Sequence, residues 1–253
     1  MLGIAGTAAT IYGGVVLHRQ INKPSIEKVA KNFSEIFRKE VSADDAQKMV
    51  NRYKEIFEIK DEKTFRDTMF NQLKKDYGLE NTDFGLTIEK LEDGIGGGFN
   101  HLGAKNGKVG EGLRLDSNNC VQINEKYAKK RKVYFSKLVH ELNHAKQFEI
   151  AYRTNSKEAM KINLSERLIN DTAVFDKVQK YIKEVMGDTK PDSLIKGSKE
   201  YELGLKYIAD MKHYVSSSQD FDTYLGQFIE TESRNAEKMM AEIENSFLSI
   251  WRI

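Results

Sequence analysis

The stretch Lys137-Leu138-Val139-His140-Glu141-Leu142-Asn143-His144-Ala145 places two histidines four residues apart, with a glutamate directly after the first. Residues at i and i+4 share one helix face, so both imidazoles reach a single metal ion while Glu141 projects beside them toward a bound water. Phe135, Leu138, Val139, Leu142 and Ala145 recur at helical spacing. They predict an amphipathic helix over 133–152 whose apolar side is pinned to the core. Two imidazoles and a carboxylate, with one coordination position left for water, suit zinc. Such an ion brings its water to a pKa of about 7 and polarises a carbonyl. Glu141 is placed to take that water's proton and to hand it on to a leaving amine.

The rest of the composition narrows the partners. The single cysteine, Cys120, excludes an intrachain disulfide and any Cys-rich zinc cluster, so histidine and carboxylate must supply the ligands. Its lone occurrence is compatible with a reducing compartment. Forty Lys and Arg stand against 38 Asp and Glu. This balance gives no global field of the kind that marks a dedicated nucleic-acid binder, and no nucleic-acid partner is expected. The run Lys129-Lys130-Arg131-Lys132 is a local exception and reads as a solvated loop. His18 and His101 have no partner at ligand spacing and receive no role.

At 253 residues the chain is long enough for one sizeable core with a helical appendage. Three segments are expected: an apolar stretch over 1–20, a helical subdomain over 21–80, and a domain over 81–253 that carries the histidines. Residues 1–17 hold no charged side chain and are followed by His18, Arg19 and Lys23, the outline of a short, glycine-diluted membrane anchor. If it spans, Arg19 and Lys23 keep the remainder on the cytoplasmic side. Ser42 with Asp45 resembles a capping box. The stripes Ala46, Met49, Val50, Tyr53 and Phe65, Met69, Phe70, Leu73, with a stop at Gly78, predict three helices over 25–78. Short alternating runs at 86–91, 112–115 and 120–124 then predict a small mixed sheet. Gly94, Gly96, Gly97 and Gly98 lack the Gly-Lys-Ser/Thr ending of a phosphate loop and read as a turn or a mobile flap. Helices follow at 133–152, within 165–186, at 201–214 and as one long segment over 224–251. The class is α+β, mostly helical.

The stretch from Val139 to Gln147, following the strand-like run 120–124, resembles the zincin metallopeptidases, and in particular the gluzincins, whose third zinc ligand is a glutamate. The metzincin variant is disfavoured, because no Gly-x-x-His follows His144 and the only later histidine is His213. The resemblance implies hydrolysis of peptide bonds in a peptide or protein substrate, with zinc held by His140, His144 and a distant glutamate. The segment Phe228-Ile229-Glu230-Thr231-Glu232-Ser233-Arg234-Asn235-Ala236-Glu237 is similar to the Glu-x-Glu-Ala-Arg-Asn segments of peptidase-like domains in phage and mobile-element proteins. It is also similar to the Glu-x-x-Ala-Asp helix of membrane-associated gluzincins, which maps the third ligand onto Glu230. Ser233 stands where that pattern has Ala, and Arg234 where it has the Asp that orients a ligand histidine. Glu166 and Glu232 remain alternatives for the third ligand. Tyr224, His213 and Tyr214 are candidate donors to a developing oxyanion. The strand at 120–124 is expected to hold an extended peptide by backbone pairing. The competing reading is a noncatalytic interaction or structural module built on the same scaffold. A pure zinc staple, however, has no use for a base between its ligands.

Overall fold

The computed structural model describes residues 25–103, 115–216 and 219–245. The apolar N-terminal stretch, the strand-like residues 112–114 and the last turns expected before 251 lie outside them. Among the described residues no helix is long and apolar enough to cross a membrane.

Helices α1 (Ile26–Phe37), α2 (Ala43–Glu58) and α3 (Glu62–Asp76) each begin at a side-chain cap. Ser25, Ser42 and Asp61 accept from the backbone N–H of Lys28, Asp45 and Thr64. These bonds satisfy donors that a helix start leaves unpaired. Helix α3 gives way at Gly78, whose φ of 67° a side-chain-bearing residue adopts only at a cost. The stripes of α2 and α3 are buried, and Tyr53 and Phe57 each pack a ring on Phe135 with centroids 5.4 Å apart.

The sheet has three strands, β1 (Leu86–Glu89), β2 (Gly97–Phe99) and β3 (Val121–Asn124), in the order β1-β3-β2. Strand β3 runs parallel to β1 and antiparallel to β2. The fold is therefore α+β and mostly helical with a small mixed sheet. Two expectations change here. The strand within 120–124 is central and has both edges paired, so it offers no free edge to a peptide; among the described residues β1 and β2 are the outer strands. The glycines are not all turn: Gly94 turns at φ 92°, but Gly97 and Gly98 lie in β2 itself.

Beyond the sheet come α4 (Glu125–Ala128), α5 (Arg131–Thr154), α6 (Ser156–Ala159), α7 (Glu166–Asn170), α8 (Thr172–Met186), α9 (Lys199–Lys212), α10 (Phe221–Gly226) and α11 (Phe228–Ile243). Helix α5 is the spine, packed against α11, α9, α3 and the sheet. It is not amphipathic in the expected sense. Its apolar residues are buried, but so are His140, Glu141, Asn143, His144, Gln147 and Glu149. His140, Asn143, His144 and Gln147 are turned toward α11, Glu141 lies against Gly97 of β2, and Glu149 pairs with Lys146 and Arg153 on α5 itself.

The long C-terminal helix expected from residue 224 is broken at Gln227, whose ψ of 139° is extended. The Gln227 side chain accepts from Val215 N–H and donates to Val215 C=O, while Asp210 accepts from the N–H of Ile229. The break thus ties the start of α11 to the end of α9. The basic run is largely consumed in intramolecular contacts. Lys129 pairs with Glu125, Lys132 with Glu244, and Arg131 binds Glu62 and the carbonyls of Phe57 and Lys60.

Candidate metal centre

His140 and His144 project from one turn of α5 toward Glu230 in the first turn of α11. All three residues are buried, and their ligand atoms lie within 4.8 Å of one another. The separations are 3.2 Å between the two Nε2 atoms, 3.5 Å from His140 Nε2 to Glu230 Oε2, and 3.5 Å from His144 Nε2 to Glu230 Oε1. Ligands about 2.1 Å from a tetrahedral ion stand roughly 3.4 Å apart. The two imidazole nitrogens and the carboxylate edge of Glu230 therefore stand at separations close to those of ligands on one ion.

The surrounding hydrogen bonds fix which atoms face the triangle. Gln147 donates its Nε2–H to Ile229 C=O at 3.0 Å, which leaves its Oε1 to accept from His144 Nδ1 at 2.8 Å. Glu237 Oε2 lies 3.2 Å from His140 Nδ1. With both Nδ1 atoms engaged by acceptors, Nε2 is the atom each ring turns to the centre, where it can bind a metal once deprotonated. Glu230 Oε2 is buried there, 3.5 Å from His140 Nε2 and 3.7 Å from Arg234 Nη1, and has no shorter polar contact among the described residues. Converging acceptors of this kind are satisfied by a cation, so His140, His144 and Glu230 fit a metal ion.

As a set of side chains the cluster competes for protons. Burial disfavours a charged His140, but the carboxylates of Glu230 and Glu237 outweigh it and raise its pKa to about 9. Burial and the neighbouring His140 charge lower His144 to about 4. Glu230, despite its burial, is held down to about 2 by hydrogen bonding to His140 and by both imidazoles. Metal binding displaces protons from such ligands. Glu141 behaves oppositely to Glu230. Burial pushes its carboxyl up to about 7 against the pull of His140, with the Glu230 charge adding to the rise.

The sheet meets the centre at Gly97. A Cβ there would lie 2.6 Å from Gln122 O and 2.8 Å from Glu141 Oε1, so only glycine lets β2 approach the Glu141 carboxylate this closely. A cavity of about 170 Å³ is lined by the triangle and Glu141 themselves, by Gly97, Gly98 and Phe99 of β2, and by a mixture of apolar and polar side chains. A larger groove of about 1280 Å³ opens on the other side of Gly97 and shares His140, Glu141, Tyr214 and Tyr224 with it.

The alternatives for the third ligand are elsewhere. Glu232 faces away from the triangle, where it binds Arg38 at 2.9 Å, the Tyr207 hydroxyl at 2.7 Å and Gln147 Nε2 at 3.2 Å. Glu166 is exposed on α7. Of the candidate donors, Tyr214 hydrogen-bonds Glu230 Oε1 at 3.1 Å and the Tyr224 hydroxyl lies beside the same carboxylate, whereas His213 is an exposed cap of α9. Glu237 and Gln147 went unassigned in the sequence. Gln147 follows His144 at i+3, a readable spacing. Glu237 lies two turns beyond Glu230 on α11 and becomes visible only once that helix is docked. The departures at 233 and 234 also resolve. Ser233 accepts from Asn143 Nδ2 at 2.9 Å and sits 3.3 Å from His144 Nδ1. Arg234 lies over the Tyr224 ring with its Nη1 3.7 Å from Glu230 Oε2, and Glu237 occupies the position beside His140 in its stead. Searches against family models, curated proteins and solved structures return no match to this chain.

Proposed function

We propose that this chain is a zinc-dependent metallopeptidase of the gluzincin type, with His140, His144 and Glu230 as ligands and Glu141 as general base. The observation that carries the reading is the conjunction of a buried ligand triangle with a buried carboxylate, Glu141, that lies beside the triangle without being one of its corners. A carboxylate so placed is within reach of a water at the centre. Two imidazoles and one carboxylate favour zinc, which when bound supplies Lewis-acid polarisation of the scissile carbonyl.

The chain's own groups account for the remaining tasks. The outer edge of β2 pairs with an extended polypeptide and sets its carbonyl beside Glu141, the glycines keeping side chains out of the way. The Glu141 carboxylate takes a proton from the attacking water and returns it to the amine nitrogen as the C–N bond breaks. Tyr214 and Tyr224, whose phenolic pKa values are raised by burial, stay protonated and donate to the Glu230 carboxylate, orienting it toward the two imidazoles. The groove and the smaller cavity, both open and sharing His140, Glu141 and Gly97, allow a chain to run past the centre, which fits internal cleavage of a polypeptide.

Metal analysis of the purified protein beside His144→Ala, together with hydrolysis of an unfolded protein substrate, tests this reading. About one zinc per chain, lost in the variant along with hydrolysis, is the expected result. Zinc retained in wild type with no cleavage of any unfolded substrate would reduce the centre to a structural staple.

A further inference from the structure

Arg38 stands among the N-terminal helices, far from the ligand triangle in sequence, and the fold holds it at a cost. It follows the last residue of α1 at φ 53° and ψ 39°, the left-handed region that a residue with a side chain enters unfavourably. Its Nε is buried and has no hydrogen-bond partner among the described residues, which is unfavourable again. What the side chain does reach is α11. Nη2 donates to Glu232 Oε2 at 2.9 Å, and the guanidinium lies 5.5 Å from the centre of the Tyr207 ring. The preceding residue anchors the same corner. Phe37 packs edge-on against Tyr77 with centroids 4.9 Å apart, and the Tyr77 hydroxyl donates to the carbonyl of Val139, the residue before His140.

Glu232 Oε2 is a junction. It accepts from Arg38, from the Tyr207 hydroxyl at 2.7 Å and from Gln147 Nε2 at 3.2 Å. Gln147 Nε2 also donates to Ile229 C=O at 3.0 Å, so both amide hydrogens meet acceptors and Oε1 is left for His144 Nδ1 at 2.8 Å. A turned-over amide would set Oε1 against the Glu232 carboxylate and the Ile229 carbonyl, acceptor against acceptors. It would also aim Nε2 at His144 Nδ1, which would then have to accept, leaving the ring proton on Nε2, the atom turned to the centre. The guanidinium fixes the carboxylate oxygen from which the amide takes its direction, and charge-assisted bonds of this kind are the strong ones.

We infer that Arg38 is a positioning residue for the metal centre: acting through Glu232 and Gln147, it holds the His144 imidazole with Nδ1 protonated and Nε2 free for the ion. The inference rests on the metal-centre part of the proposed function and adds to it that the N-terminal helices take part in building the centre. His140 has no share in this relay, because its Nδ1 faces Glu237, which Ser136 and Lys137 hold in place. The two ligand histidines are thus oriented by separate devices, and each serves as the control for the other.

Proton NMR of the full-length protein loaded with cobalt(II), a stand-in for zinc at nitrogen and oxygen sites, tests the relay directly. The paramagnetic ion shifts the Nδ1–H proton of a histidine bound through Nε2 far outside the ordinary range. Two such exchangeable signals are expected in wild type, and Gln147→Leu, which deletes the acceptor of one, tells them apart. In Arg38→Met, which keeps the aliphatic stem and loses the charge, the His144 proton is expected to exchange with solvent roughly three- to tenfold faster, the worth of about one net hydrogen bond. The His140 proton should exchange as in wild type. Arg38→Lys, which keeps a charged donor, should bring the His144 rate back toward wild type. An unchanged His144 proton in Arg38→Met overturns the inference and leaves Arg38 a packing residue. Equal acceleration of both protons overturns it as well, because the variant has then loosened the whole centre. Glu232→Gln cuts the relay in its middle at nearly constant size and is expected to free the same proton; an unchanged signal there refutes the relay even if Arg38→Met does not fold. Wild type that binds no cobalt and shows no shifted signals removes the metal centre, and this inference with it.

Discussion

Two walls of different construction face each other across the ligand triangle. The helical wall, α5 against α11, is joined by side chains: Asn143 to Ser233, Gln147 to Ile229 and Glu232, and Ser136 and Lys137 to Glu237. The strand wall is backbone. Strand β2 reaches Glu141 because Gly97 has no side chain, and the cavity behind it is bordered by His101, a buried ring stacked on Phe148 of α5. The first wall assembles ligands and fixes their tautomers; the second positions what the ligands act upon. Changes in the first should therefore abolish metal binding or chemistry. Changes in the second should leave the metal in place and alter what reaches it.

The sharpest test of the helical wall is Glu141→Gln. Hydrolysis is expected to fall by about 10²- to 10⁴-fold, the usual worth of a positioned proton-transfer group, with zinc content unchanged. A variant that still cleaves near the wild-type rate removes Glu141 from the mechanism.

Next in size is the contrast between two carboxylates on one helix. Glu230→Ala removes a ligand and should weaken zinc binding by more than the roughly 10- to 100-fold typical of residues that merely orient ligands. Glu232→Ala should keep zinc and instead lower stability by roughly 1 kcal/mol, because Arg38 and Tyr207 lose a half-buried partner. Equal zinc affinities for the two variants, in a competition titration with a chromophoric chelator, would break the division between them.

On the strand wall, Gly97→Ala sets a methyl group against backbone and the Glu141 carboxylate. The expected outcome is retained zinc with kcat/KM reduced by roughly tenfold or more, as β2 shifts away from the base. Unchanged kinetics would show that close approach of β2 is not needed for turnover.

Legibility in the sequence divides along the same line. The two histidines, Glu141, the helix carrying them and the three N-terminal helices are local patterns, spaced by i+3 and i+4 or marked by caps such as Ser42. The triangle's third corner was nameable because Glu230 opens a recognisable segment, although nothing local separates it from Glu232; the docking of α11 on α5 decides between them. Glu237, His101 and the central place of β3 depend on which segments meet across the fold. A short glycine-rich run does not reveal that it is an edge strand until its neighbour is known. His101 gave no signal because its partners, Phe148 and Ile162, come from α5 and from the turn after α6.

The smallest expected effect concerns stability and tests whether the strand wall does hold an uncharged imidazole. In the unfolded chain His101 titrates near 6.5, whereas in the folded protein burial lowers it to about 3. Between these values the unfolded state binds a proton that the folded state refuses. The stability associated with His101 is therefore fully present above pH 6.5 and is lost as pH falls toward 3, at up to about 1.4 kcal/mol per pH unit. His101→Phe cannot take up that proton in either state. Urea unfolding of wild type and His101→Phe at pH 7 and pH 5 isolates the contribution, because His140, His144 and the carboxylates titrate in both proteins and cancel in the difference. Wild type should lose about 2 kcal/mol more than the variant over that interval. Parallel losses would mean that the ring is protonated in the fold or reaches water, and a buried neutral imidazole would then be ruled out.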